Sequence, residues 1–176
     1  MNVLVLNPGG NSLKASLVQC SRDQRYAFEG QTRFSVAVED IGKDPKLSVF
    51  QDKKKTATES IAAQDYKQAA EQQLDWWSQH TDDRQLPKLS ESEAIGIRVV
   101  HGAREFLRPA LMDDHVISRI EAYEKLAPLH NKSSIEILAP VQERLPTAPV
   151  YAVFDTAFHH TIPEHASVYA IPATLA

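Results

Sequence analysis

The chain has 176 residues, 43% of them hydrophobic and 24% charged, with a formal net charge of −4. That is the size of one domain with a substantial core, and mild acidity with Lys53-Lys54-Lys55 as its only basic run argues against a nucleic-acid binder held by phosphate contacts. One cysteine, Cys20, excludes an internal disulfide framework, and no apolar stretch approaches a membrane span, so a cytoplasmic globular protein is expected.

Met1 to Leu6 is apolar on both faces of a strand, which predicts a central, buried one. Asn7-Pro8-Gly9-Gly10-Asn11 then concentrates turn-favouring residues in a hairpin loop, with room for positive φ at the two glycines. From Ser12 the pattern alternates, with Leu13, Ala15 and Leu17 on one side and Ser12, Lys14 and Ser16 on the other. Backbone N–H groups in such a turn can converge on an anion, and Lys14 adds a point charge; the plainer alternative is a tight turn with a solvated lysine. It is not a Walker A loop, because the lysine sits on a strand.

Further strands are predicted over Gln24–Glu29, Thr32–Val38 and Leu47–Gln51, with the lysine run as a loop or strand end. Helical spacing of Ile61, Tyr66, Ala69, Ala70, Leu74 and Trp77 predicts an amphipathic helix over Thr58–His80, in which only one of Trp76 and Trp77 can face the core squarely. Thr81–Ser92 reads as a loop and Ala94–Val100 as an apolar strand interrupted by Arg98. A second helix is expected over Asp113–Lys125 and a third over Ser133–Leu145, kinked or ended by Pro140. Pro149–Phe154 reads as a strand ending at Asp155, and Ser167–Ile171 as a short last strand. This order implies an α/β fold: a mixed sheet with antiparallel hairpins first and a parallel part built by right-handed crossovers.

Three polar residues could carry chemistry. Arg98 within an apolar strand is costly unless paired with an acid or reserved for an anion, the alternative being an alternating strand that points it to solvent. His130, in the loop Ala127-Pro128-Leu129-His130-Asn131, could donate to phosphate or act as an acid/base near neutrality. Asp155, directly after a strand, stands where ligands of open α/β sheets gather and could hold Mg²⁺, or could simply cap the next turn. His159, His160 and His165 do not read as a zinc site, since adjacent histidines diverge and no partner has ligand spacing.

Taken together, VLVLNPGGNSLK, GIRVVHG with APLHN, and VFDTAFHHTIPEHASVYAIP resemble, in order and spacing, the corresponding blocks of the acetate kinases. The resemblance covers Met1 to Pro172, with a divergent middle over about Ser21–Glu93. It implies one ribonuclease-H-like half of a two-domain, actin-like kinase, with residues 1–176 as the N-terminal domain and the C-terminal domain outside this chain. The implied reaction is reversible transfer of the ATP γ-phosphoryl group to acetate, giving ADP and acetyl phosphate, with Mg²⁺ as cofactor. Carried over by residue, Asn7, Gly9, Gly10, Ser12 and Lys14 would handle phosphate, and Asn7 and Asp155 would meet Mg²⁺ directly or through water. Arg98 would meet the substrate carboxylate, His130 the phosphoryl group, and Val100 and Leu129 the acetate methyl. Such a transfer depends on positive charge and oriented donors rather than on a strong base.

The chain departs from the family pattern at five positions. Gly10 and Asn11 stand where serines are expected, Pro8 is similar to butyrate kinase turns, Ala103 replaces the second glycine of an HGG block, and Lys132 replaces a proline. Propionate or butyrate are therefore alternative acids. The alternatives in function are a non-catalytic phosphate-binding module, or a partner subunit that associates with a separate C-terminal domain or as a homodimer.

Overall fold

The computed structural model describes residues 1–22, 28–82, 86–127, 130–167 and 170–172. The described residues form an eight-stranded sheet flanked by helices; the mixed sheet is as the order of elements predicts, while its two edge strands, Lys54–Ser60 and Ala110–Leu111, are not predicted. Its strands are β1 (Asn2–Pro8), β2 (Leu13–Arg22), β3 (Phe28–Glu39), β4 (Lys46–Gln51), β5 (Lys54–Ser60), β6 (Ala94–Val99), β7 (Ala110–Leu111) and β8 (Val150–Phe154). Across the sheet the order is β5-β4-β3-β2-β1-β6-β8-β7. The first five strands run as antiparallel neighbours, while β6 lies parallel to both β1 and β8.

Central strands bury one face completely. Leu4 and Leu6 of β1, Ile95, Ile97 and Val99 of β6, and Val150, Ala152 and Phe154 of β8 pack beneath the helices, whereas Val3 and Val5 on the opposite face stay half-buried. The two-sided apolar pattern of β1 thus marks its central position correctly and overstates its enclosure.

Helix α1 (Tyr66–Gln79) starts where Asp65 caps it, its carboxylate accepting from the Gln68 N–H at 2.8 Å. The predicted helix began eight residues too early, because Thr58–Ser60 complete β5 instead. Both tryptophans are buried, but only Trp77 faces the core squarely, as their adjacency predicts. Trp77 enters the core edge-on to Phe34 and donates to the Pro87 carbonyl, while Trp76 stacks on His80 and donates to Glu59 of the edge strand.

Between β6 and β8 the chain forms α2 (Asp114–Ala122), α3 (Asn131–Glu136) and α4 (Leu138–Arg144). The break between α3 and α4 is the one Pro140 demands. Its ring has no N–H for the Glu136 carbonyl and crowds that turn, so the helix stops at Glu136 and restarts. After β8 come two single turns, α5 (Asp155–Phe158) and α6 (Glu164–Ser167). No strand forms in the described part of Ser167–Ile171, where Ser167 ends α6 and residues 170–171 make a bend; its remainder, and most of the Gln24–Glu29 segment, lie outside the described residues. No helix among the described residues is long and apolar enough to cross a membrane.

Candidate functional site

The carboxyl ends of β1, β6 and β8 lie side by side, and register brings their polar residues together. Leu6 pairs with Ile97, which sets Asn7 beside Arg98; Arg98 in turn pairs with Val153, two residues before Asp155. The Arg98 side chain therefore leaves the face away from the helices and spans all three strand ends. Its Nε donates to both Asp155 oxygens at 3.0 and 3.1 Å, its Nη2 to Oδ2 at 2.6 Å, and its Nη1 to the Asn7 Oδ1 at 3.0 Å.

The arginine interrupting an apolar strand is thus paired with an acid. A guanidinium has five N–H donors, so one on each Nη remains for an anion. The pair is about four-tenths exposed on each side, open enough for a ligand to reach. Hydrogen bonding to Asp155 holds the guanidinium above its usual range, outweighing partial burial. Asp155 is the first residue of α5 and its carboxylate faces Arg98 rather than capping the turn.

Lys14 lies directly across from Asn7 in the β1–β2 ladder, so both side chains leave the same face. It is exposed and has no hydrogen bond or ion pair among the described residues. The hairpin between the strands closes through the Gly9 N–H donating to the Ser12 carbonyl at 2.7 Å. Neither glycine takes a positive φ, contrary to expectation, since Gly42 is the one described glycine that does. A Cβ at Gly9 would meet the Ser12 Oγ at 2.8 Å, a contact that hydroxyl can relieve by turning to another rotamer.

His130 precedes α3 and is tied to the end of β6 through its neighbours. The Asn131 amide grips the backbone of His101, accepting from its N–H at 3.1 Å and donating to its carbonyl at 2.9 Å. Ser134 donates to the Arg98 carbonyl at 2.9 Å, and Ser133 to that of His130 at 2.7 Å. The His130 Nδ1 is buried without a partner among the described residues. Neither the His130 nor the Lys14 side chain hydrogen-bonds to the Asn7–Arg98–Asp155 network among the described residues, so three of the predicted residues are bonded together and two flank them. Val100 follows β6, half-buried, while Leu129 lies outside the described residues.

The turn after β6 adds groups that sequence reasoning passed over. The Gly102 N–H donates to Thr156 Oγ1 at 3.0 Å, and the Ala103 N–H to His101 Nδ1 at 3.0 Å. Gly102 sits against the Phe154 ring, where a Cβ would come within 2.6 Å. Asn131 and Ser134 had one signal, their closeness in sequence to His130; Thr156 had its place beside Asp155.

Among the described residues no group of three or more His, Cys, Asp or Glu could hold a metal ion. What the geometry does offer is a guanidinium fork and an ammonium on one side of the sheet, beside a Gly-containing turn, a set suited to anionic oxygens.

Comparison with known proteins gives the same direction. A profile described as the acetokinase family matches residues 2–176. The acetate kinase of Chloroherpeton thalassium is 36% identical over 179 residues, covering 98% of this chain and 43% of that protein. That of Acetivibrio thermocellus is 35% identical over 178 residues, covering 98% and 41%. Among solved structures, Porphyromonas gingivalis acetate kinase superposes with a TM-score of 0.80 at 28% identity, over 99% of this chain and 42% of that one. A propionate kinase from Francisella tularensis gives 0.73 at 32% identity, over 99% and 42%. The chain thus spans less than half the length of the relatives it matches. Matched along nearly all of its own length in both sequence and fold, it belongs to the acetokinase family.

Proposed function

We propose that the chain is the N-terminal, acceptor-binding half of a phosphotransferase that moves the ATP γ-phosphoryl group to a short-chain carboxylate. The observation that supports this most is Arg98, oriented by Asp155 and Asn7 at the ends of three adjacent strands with N–H groups to spare. In this reading a carboxylate oxygen of the acceptor attacks phosphorus, the bond to the β-phosphate oxygen breaks, and ADP leaves with that electron pair. Arg98 holds the acceptor carboxylate, while Lys14 and the Gly9–Ser12 turn receive phosphoryl oxygens. His130 donates to the same group as its charge redistributes. These are electrostatic and orienting roles, the kind phosphoryl transfer needs.

Val100 and Leu129 would form the wall against the acceptor's alkyl end. Mg²⁺ would accompany the nucleotide phosphates and neutralise their charge. Of this chain's groups, Asp155 would reach it through water, since both its oxygens already accept from Arg98. Acetate is the acid favoured by the named relatives, with propionate second on the Francisella tularensis neighbour.

Acetyl phosphate should raise the melting temperature of this chain, and the rise should vanish in Arg98→Ala and in Lys14→Ala. An equal rise in both variants would sink the assignment. The chain alone, given ATP, Mg²⁺ and acetate, should make no detectable acetyl phosphate, because the relatives carry more than as much sequence again. Measurable turnover would show that this half suffices.

A further inference from the structure

Tyr66 is the first residue of α1, on the helix side of the sheet, yet its hydroxyl reaches the hairpin between β1 and β2. It donates to the Gly9 carbonyl at 2.5 Å. Its phenol is held above the usual range by burial first and by the Glu136 carboxylate second, while the Ser12 backbone N–H acts in the opposite sense. The tyrosine is half-buried where it meets the turn.

A peptide unit is planar and trans, so its C=O and N–H point in opposite directions. With the Gly9 carbonyl drawn back toward α1, the Gly10 N–H must point away from the helix layer, toward the face from which Asn7 and Lys14 project. That N–H has no partner among the described residues, and nothing lies within 4 Å of where a Gly10 Cβ would stand. Were the peptide to turn over, a carbonyl oxygen would face any incoming anion instead.

We propose that Tyr66 is a positioning residue which, through the Gly9 carbonyl, locks the Gly9–Gly10 peptide with its N–H outward as a donor to an anionic oxygen. This rests on the reading of the turn as the phosphoryl-binding element, and it assigns to a helix residue the control of that turn's polarity. The rest of the turn is held independently. The Ile41 N–H donates to the Asn11 carbonyl at 3.0 Å, and the Asn11 amide donates to Asp40 at 3.2 Å. Loss of the Tyr66 hydroxyl thus frees one peptide rather than the whole hairpin.

The test is a titration of the isotope-labelled full chain with inorganic phosphate, following backbone amide resonances, beside Tyr66→Phe and Lys14→Ala. In the wild type the Gly10 and Asn11 amides should move with phosphate, and Tyr66→Phe should weaken that binding by about tenfold, the effect of one hydrogen bond to a charged group. Resonances away from the turn should stay in place, which a general loss of structure would not allow. Equal phosphate affinity in Tyr66→Phe overturns the proposal. If phosphate leaves the wild-type turn unmoved, or Lys14→Ala binds as well, the anion reading fails and the lock is judged without ligand. The Gly10 amide of phosphate-free Tyr66→Phe should then be displaced or broadened relative to wild type, and coincidence of the two signals overturns the lock as well.

Discussion

Ala103 has φ of 54°, in the left-handed region that a Cβ disfavours. Its N–H is bound by His101 and the preceding Gly102 is pressed against Phe154, so the backbone has no room to relax. Ala103→Gly should stabilise the chain by about 1 kcal/mol, read as a higher urea midpoint at unchanged slope. A lower midpoint would mean that the strain is absorbed elsewhere. Nearby, Glu105 accepts from Tyr123 and from Arg119, which pins the turn after β6 to α2. The Tyr123 hydroxyl, then the Arg119 guanidinium, hold the carboxyl below its ordinary 4.5. A lowered native pKa contributes stability that is complete above 4.5 and fades as pH falls through the native value. The Tm gap between wild type and Glu105→Gln should accordingly be widest near neutrality and close on acidification; a constant gap would exclude this linkage. At this scale Arg98 and Asp155 were legible because a charge inside an apolar strand, or at its tip, requires a reason. Asn131 and Tyr66 were not, since their roles depend on which backbone groups the fold leaves unpaired.

Elements were legible where local chemistry decides them. Pro140 divides α3 from α4 by geometry alone, and α2 starts at the Asp113 cap. The cap that sets the start of α1, Asp65 accepting from the N–H three residues on, was instead hidden by apolar spacing that runs back toward β5. Asp65→Ala should cost about 1 kcal/mol in chemical unfolding, with Asp65→Asn close to wild type; equal losses in both would point to the charge rather than the cap. Strand β5 escaped the periodicity because it is an edge strand with one half-buried apolar residue, Ala57, which pairs with Val49. The lysines at its start and the register shift beside Phe50 are instead defences of a free edge, discouraging another strand from pairing there. β7, at the other edge, has two residues and too little sequence to carry a pattern.

For the whole molecule, the mixed sheet followed from the order of elements, but its one-sided covering did not. Both faces of β1 are apolar in sequence, yet only the Leu4 and Leu6 face is packed by helices. On the other face Val153 and Tyr151 of β8 and Leu111 of β7 remain exposed beside half-buried Val3, Val5 and Val18. Apolar surface of this kind should make the isolated chain self-associate, with weight-average mass in sedimentation rising with concentration and Val153→Lys reducing the rise. A concentration-independent monomer would count against it. The pairing of Arg98 with Asp155 carries a different consequence. A lone guanidinium on an open surface would attract any passing chloride or sulfate, but here an internal carboxylate already balances it. The pair is therefore electrically quiet at long range, leaving the ammonium of Lys14 as the charge felt at a distance, and the guanidinium acts only on a group close enough to match the outer edge of its fork.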